Sequence, residues 1–316
     1  LWSSVMAERN GAVQLDKEES ARNRVVLDAL GLGYHQTYSF LFNQAPSFEQ
    51  FEDWIARTAG EPDAFSKLRL ERLFSSEARR CARVEEWLQS IDSMPPVLSE
   101  EDLRFWQTSG YVILRNAVSR KSAAAASRAV WNFSGATRDD PRSWYRSRQG
   151  GIMMELIQHP ALESNRRSLR IHKAFSQLWD TSDLWVSADR CSFHPPQTRE
   201  HPFSGPDLHW DVDFSPPPRF ATQGILYLED TPENQGAFTL VPGFHKRFAS
   251  WLQSLDPAMD PQQQDLHALG SIPVGARAGD MIIWHHHLPH GSRPNLGTRP
   301  RVAQYINMYP ANLSHA

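Results

Sequence analysis

Through the first ninety-odd residues, apolar positions recur at helical spacing. Residues 17–30 mix polar and apolar positions among good helix formers, and Gly31 and Gly33 follow as stop signals. Ser47-Phe48-Glu49-Gln50 reads as a capping box, with the Ser47 hydroxyl capping the helix and Gln50 reaching back. Behind it Phe48, Phe51, Trp54 and Ile55 make one apolar stripe up to Gly60, expected to face a core. Residues 64–74 and 77–91 continue in the same style. Ser93-Met94-Pro95-Pro96 ends the pattern, because neither proline can continue a helix. An all-helical region of unassigned role is therefore expected over 1–96, and a second domain over 97–316.

Beyond the break, Ser99-Glu100-Glu101-Asp102 opens a short helix to about Ser109, and Tyr111-Val112-Ile113-Leu114 after Gly110 reads as a strand. Helices are expected over about 121–133 and 161–178. From Trp185 the texture changes to short apolar runs punctuated by Pro, Gly and Asn. Candidate strands are 184–193, 207–214, 222–228, 238–241, 281–284 and 301–309. Many short strands at this spacing favour a sandwich or barrel, so the chain reads as α+β.

Composition narrows the function classes. The 316 residues correspond to about two domains at roughly 150 residues each. Lys plus Arg number 33 against 36 Asp plus Glu, a net charge of -3, which lacks the strongly basic footprint of a nucleic-acid-binding domain. No apolar run approaches the roughly 20 residues of a membrane span, and the mean hydropathy is -0.52. Cys81 and Cys191 are too few for a disulfide framework or a cysteine-ligated zinc site. Leu1 to Asn10 shows no basic stretch followed by an apolar one, so a cytoplasmic protein is expected. Against this plain background stand 13 His and 11 Trp, many in the second half.

His209-Trp210-Asp211 is the first chemical feature. On a strand, residues i and i+2 share a face, so an imidazole and a carboxylate would point together. His290 follows 81 residues later, and a third ligand from a distant strand would complete two His and one carboxylate. That facial triad leaves open positions and suits non-haem Fe(II) oxygenases. Arg301 lies a further 11 residues on, heading Arg301-Val302-Ala303-Gln304-Tyr305. From a last strand its planar fork could hold a carboxylate bidentately, which a buried guanidinium needs.

In order, these features resemble the phytanoyl-CoA dioxygenase family of Fe(II)/2-oxoglutarate oxygenases, over residues 97–310. Residues 98–103 with Gly110-Tyr111-Val112-Ile113-Leu114 resemble its opening. Gln235-Gly236-Ala237-Phe238 with Val241-Pro242-Gly243-Phe244-His245 resembles its strand-turn motif, usually Asn-Gly and then Pro-Gly-Ser/Thr-His. Gly279-Asp280 leading to His290, Ser292, Asn295 and Arg301 resembles its distal half. The resemblance implies a double-stranded β-helix (jelly roll) core with flanking helices. It implies Fe(II) on His209, Asp211 and His290, and 2-oxoglutarate held by Arg301 with Ser292 assisting. Co-substrate O2 and ascorbate, keeping the iron reduced, belong to the same implication. Halogenases of this superfamily lack the carboxylate ligand, so Asp211 favours hydroxylation, with desaturation or ring formation as variants, and release of succinate and CO2. Trp210 departs from the pattern, standing where the family often has a polar residue, so the wall near the co-substrate is expected to differ.

Other readings compete. His285, His286 and His287 sit near a strand end, and His287 is the alternative ligand to His290. Arg293 and Arg299 compete with Arg301, although Arg299 precedes Pro300 and fits a turn. Gln223, at a strand start, is a candidate contact to co-substrate or substrate; the alternative is a solvated edge. His245 and Asp280 read as turn residues and Cys191 as core. Arg142-Ser143-Trp144-Tyr145-Arg146 with Gly150-Gly151 is either a lid or an ordinary connection. Trp, Phe and Pro around 210–220 favour a small, largely apolar substrate; neither a nucleic-acid nor a membrane partner is expected, and the oligomeric state is left open. The same ligands could instead hold zinc and activate water for hydrolysis, and a metal-free jelly-roll binding module is the other rival.

Overall fold

Side-chain caps start several of the helices where local sequence places them. In the computed structural model, which describes residues 1–74, 81–146, 151–212, 214 and 219–310, Asp16 accepts from the Glu19 amide at 2.8 Å. Ser47 and Gln50 close the expected capping box at 3.2 and 2.8 Å. Ser99 and Asp102 close another, and Gly110 then ends its helix in the left-handed conformation. Each such cap stabilises its helix by about 1 kcal/mol. Gly150 and the Pro216-Pro217-Pro218 run lie outside the described residues. No helix among the described residues is long and apolar enough to cross a membrane.

The chain forms two compact units: Leu1–Pro96 with Ile157–Arg190 and 308–310, and Val97–Leu156 with Cys191–Asn307. In chain order the strands are β1 (Tyr111–Leu114), β2 (Met153–Met154), β3 (Leu184–Val186), β4 (Cys191–His194), β5 (Thr222–Tyr227) and β6 (Phe238–Leu240). There follow β7 (Ile272–Val274), β8 (Met281–His285), β9 (His290–Gly291), β10 (Arg301–Tyr305) and β11 (Met308–Pro310). All pairings are antiparallel.

The first unit packs Trp2–Arg9, Lys17–Ala29, Tyr34–Gln44, Phe48–Ala59, Ala64–Phe74, Ala82–Asp92, Pro160–Arg166 and Leu169–Trp179 with the two-stranded sheet β11-β3. Of the aromatic stripe, Phe51 is buried and Trp54 stacks on Phe40 at 4.5 Å, but Phe48 is 51% exposed. It sits in the first helical turn and meets the edge of Trp2. The helix expected over 161–178 is two helices, because Ser168 caps a new one by accepting from the Ile171 amide. The single strand expected over 184–193 is also divided. Between its parts the Ala188 amide donates to the buried Asp28 carboxylate at 2.8 Å, so the backbone leaves the ladder.

In the second unit a six-stranded sheet runs β1-β8-β5-β10-β4-β2 and a three-stranded one runs β7-β6-β9. Tyr227, Ile282, Trp284, Phe238, Leu240 and Phe244 are buried in one cluster with strand residues of both sheets. The strand expected over 301–309 stops at Tyr305, and 308–310 pair as β11 instead. No regular strand forms over the described part of 207–214, where only a bridge between His209 and His290 is made. Trp144, in the candidate lid stretch, is buried and donates to the Thr137 carbonyl at 2.8 Å, so this part of it is core.

His172 yields a stability prediction. Its buried ring donates from Nε2 to the Ser182 carbonyl at 2.8 Å, and burial pulls its pKa down to about 4. An unfolded imidazole titrates near ~6.5, so the unfolded chain binds the proton first and stability falls as pH drops from about 6.5 to about 4. The expected loss is about 1–3 kcal/mol. Denaturant unfolding at pH 7.5 and pH 4.5 checks this: His172→Gln should lose less stability between the two than the parent, and equal losses would refute it.

Candidate metal centre

Two extended segments bring the triad together. The amide of His209 donates to the His290 carbonyl, and the His290 amide donates back, both at 2.9 Å. The Ser292 amide adds a bond to the Pro206 carbonyl at 2.9 Å, so 206–209 runs beside β9. Gly291 is required at this crossing, since a Cβ there would run into the Asp207 carbonyl. Each imidazole is then oriented through its second nitrogen: His209 Nδ1 lies 2.7 Å from the Asp207 carbonyl and His290 Nδ1 lies 3.0 Å from that of Leu288. Carbonyls accept, so both Nδ1 atoms carry a proton and both Nε2 atoms point inward toward Asp211, the orientation metal-binding histidines use.

Asp211 completes the cluster. Its Oδ1 lies 3.4 Å from His209 Nε2 and its Oδ2 3.2 Å from His290 Nε2. The donor atoms of all three residues lie within 4.8 Å of one another. Burial would raise the Asp211 carboxyl, but the two rings outweigh it and hold the group far below the usual carboxylate range. Burial pulls His209 down, and Asp211 with the Asp207 carbonyl more than reverses that. A persistent carboxylate between two inward imidazoles fits a divalent cation, and the set could hold one with positions to spare.

Trp210, between the two, faces the other way. Its ring is buried against Phe244, Phe248 and Trp251, and its indole donates to the His287 carbonyl at 2.9 Å. It is core, so the expected change in the co-substrate wall does not come from its side chain. Gln223 is drawn to the cluster, donating from Nε2 to Asp211 Oδ2 at 2.7 Å. His285, His286 and His287 form a separate group with ring nitrogens close together, and His287 stacks on Phe248 at 4.6 Å.

Arg301 is fully buried. Its Nη1 donates to the Gly236 carbonyl at 2.9 Å and to Ser292 Oγ at 3.0 Å, and its Nη2 reaches Ser192 Oγ at 3.4 Å. Its Nε has no hydrogen-bond partner, and no carboxylate pairs with it among the described residues. A guanidinium surrounded only by neutral oxygens is costly unless an anion joins it. Gly236 holds its carbonyl there at φ +60°, and a Cβ would meet the His194 ring at 2.6 Å. The competing arginines are elsewhere: Arg293 donates to Ser271, and Arg299 is exposed. Asn295 ties the turn, donating to the His194 and Arg299 carbonyls at 2.8 and 2.9 Å. Asp280 likewise accepts from the Asn116 amide at 2.9 Å, and His245 Nε2 lies 3.3 Å from the Gln107 carbonyl. Ser192 was not a sequence candidate; its alternation with His194 on β4, opposite Arg301, is visible only from the register.

The family model of phytanoyl-CoA dioxygenase matches residues 106–303. A Dictyostelium discoideum protein named for phytanoyl-CoA dioxygenase is 22% identical, over 66% of this chain and 74% of its own. An ectoine dioxygenase of Bordetella bronchiseptica is 25% identical with the same coverages. Among solved structures, the non-haem α-ketoglutarate-dependent carbocyclase SnoK from nogalamycin biosynthesis superposes with a TM-score of 0.48 at 18% identity. It covers 70% of this chain and 85% of its own. The chain belongs to the phytanoyl-CoA dioxygenase family and so to the Fe(II)/2-oxoglutarate-dependent dioxygenases.

The geometry separates the histidines by experiment. Calorimetric titration with Co(II) under argon should show affinity falling more than about 100-fold in His290→Ala and in Asp211→Ala, beyond the range of outer partners. His287→Ala should stay within about threefold of the parent; a larger loss there than in His290→Ala would move the ligand assignment.

Proposed function

We propose that this dioxygenase hydroxylates an unactivated C–H bond of a small, largely apolar molecule, with 2-oxoglutarate converted to succinate and CO2. The observation that carries the reading is the buried Arg301, with no carboxylate partner among the described residues, tied through Ser292 to the strand that bears His290. Two residues of near-extended chain span about 6–7 Å, comparable with a five-carbon dicarboxylate. The six-stranded and three-stranded sheets are, on this reading, the two faces of a jelly roll.

His209, Asp211 and His290 would hold Fe(II), which when bound supplies O2 activation and the oxidation of the co-substrate. Everything else falls to side chains. Asp211 neutralises one of the metal's two charges and the neutral rings add none, leaving three positions for ligands. Arg301 and Ser292, with Ser192, bind the distal carboxylate and set its direction. Phe238 and Trp284 wall the His290 side, with ring centroids 4.2 Å apart and Trp284 5.1 Å from the His290 ring, which excludes water there. Neutral aromatic surface supports an apolar substrate: burial and neighbouring rings hold His285 and His286 well below the usual imidazole range, and Phe220 meets the His285 ring at 5.1 Å.

Anaerobic addition of Fe(II) and then 2-oxoglutarate should raise a weak visible charge-transfer band. Arg301→Leu, losing two charge-assisted bonds of about 1.5 kcal/mol each, should need about 100-fold more 2-oxoglutarate for half the band. Tight zinc with no band in the parent would overturn the oxygenase reading, and an unchanged half-saturation in Arg301→Leu would overturn the assigned anion pocket.

A further inference from the structure

Asp211 faces a mechanical problem. It lies on an irregular stretch rather than a strand, and its side chain is 52% exposed. The bridge at His209 secures the backbone two residues before it, not the carboxylate. A carboxylate with both oxygens free can swing between one-oxygen and two-oxygen attachment to a metal, and the second mode consumes a position the reaction needs.

We infer that Gln223 is the positioning residue of the metal-binding carboxylate, clamping Asp211 Oδ2 so that Oδ1 is the oxygen offered to the metal. Gln223 is the second residue of β5, and the register of β5 with β8 sets it opposite Trp284, on the same face. The Trp284 indole donates to Gln223 Oε1 at 3.1 Å, and Gln223 Nε2 donates to Asp211 Oδ2 at 2.7 Å. An indole N–H can only donate and a carboxylate can only accept. The amide therefore has one workable orientation, because a flip would set donor against donor and acceptor against acceptor. Trp284 is itself fixed, 2% exposed and packed on Phe238. A rigid core donor thus reaches an exposed carboxylate through one amide. Outer partners of this kind typically change metal affinity by about 10–100-fold.

The inference rests on the metal reading, and Co(II) titration of the apoprotein, followed by calorimetry and visible absorption, tests the two separately. Gln223→Leu and Gln223→Met should each bind Co(II) at least tenfold more weakly, with a ligand-field spectrum displaced from the parent's and the thermal transition retained. Trp284→Phe, which keeps the amide but frees its far end, should move both readouts in the same direction by less. If Gln223→Leu does not fold, Gln223→Met reads the same quantities, since it keeps the length and removes the amide without adding a charge. Parent-like affinity and spectrum in the glutamine variants would overturn the positioning role. Failure of the parent to bind Co(II) would instead overturn the metal centre itself.

Discussion

The paired backbone hydrogen bonds between His209 and His290, both 2.9 Å, are the constraint on which the centre depends. They fasten an irregular segment to a two-residue strand, and they do so only because Gly291 lets the Asp207 carbonyl approach. Once they form, the remaining geometry follows at short range. The carbonyls of Asp207 and Leu288 turn both imidazoles inward, and Asp211 is delivered two residues later. Asp207 is held in turn by His267, 2.7 Å from its carboxylate, and His267 by Ser271. The metal cluster is thus supported by loops, and the loops by one another and by the core beneath.

A second constraint is electrostatic. Arg301 carries a permanent charge into the interior and, among the described residues, donates to the neutral oxygens of Gly236, Ser292 and Ser192. Such a group is costly unless an anion completes it, which is the physical ground for the proposed carboxylate site. The same side chain connects strands from both sheets: β10 carries it, β4 supplies Ser192, and Ser292 follows β9. On the proposed reading, stability and co-substrate recognition would be coupled through that one guanidinium.

Much of this was legible in the residues. The capping boxes at Ser47 and Ser99, the strand at Tyr111–Leu114 and the long helix Arg120–Ser134 follow from local rules, because the interactions concerned span three or four residues. The separated motifs also singled out His209, Asp211, His290, Ser292 and Arg301; the fold brings the first three together in one cluster and sets Ser292 against Arg301. His209 and Asp211 do point together with Trp210 turned the opposite way, but the segment makes a bridge at His209 and no regular strand.

The sequence by itself determined which donor types the protein possesses, their order along the chain, and the helices whose ends carry their own caps. Only the tertiary structure decided the rest, namely which Arg is buried, which nitrogen of each imidazole faces inward, where Trp210 turns, and that Gln223 joins Trp284 to Asp211. Those outcomes depend on contacts between residues tens of positions apart, such as the β5–β8 register and the His209–His290 bridge. A local pattern carries no information about such partners, because a hydrogen bond or a buried charge is settled by what the fold brings within about 3 Å of it.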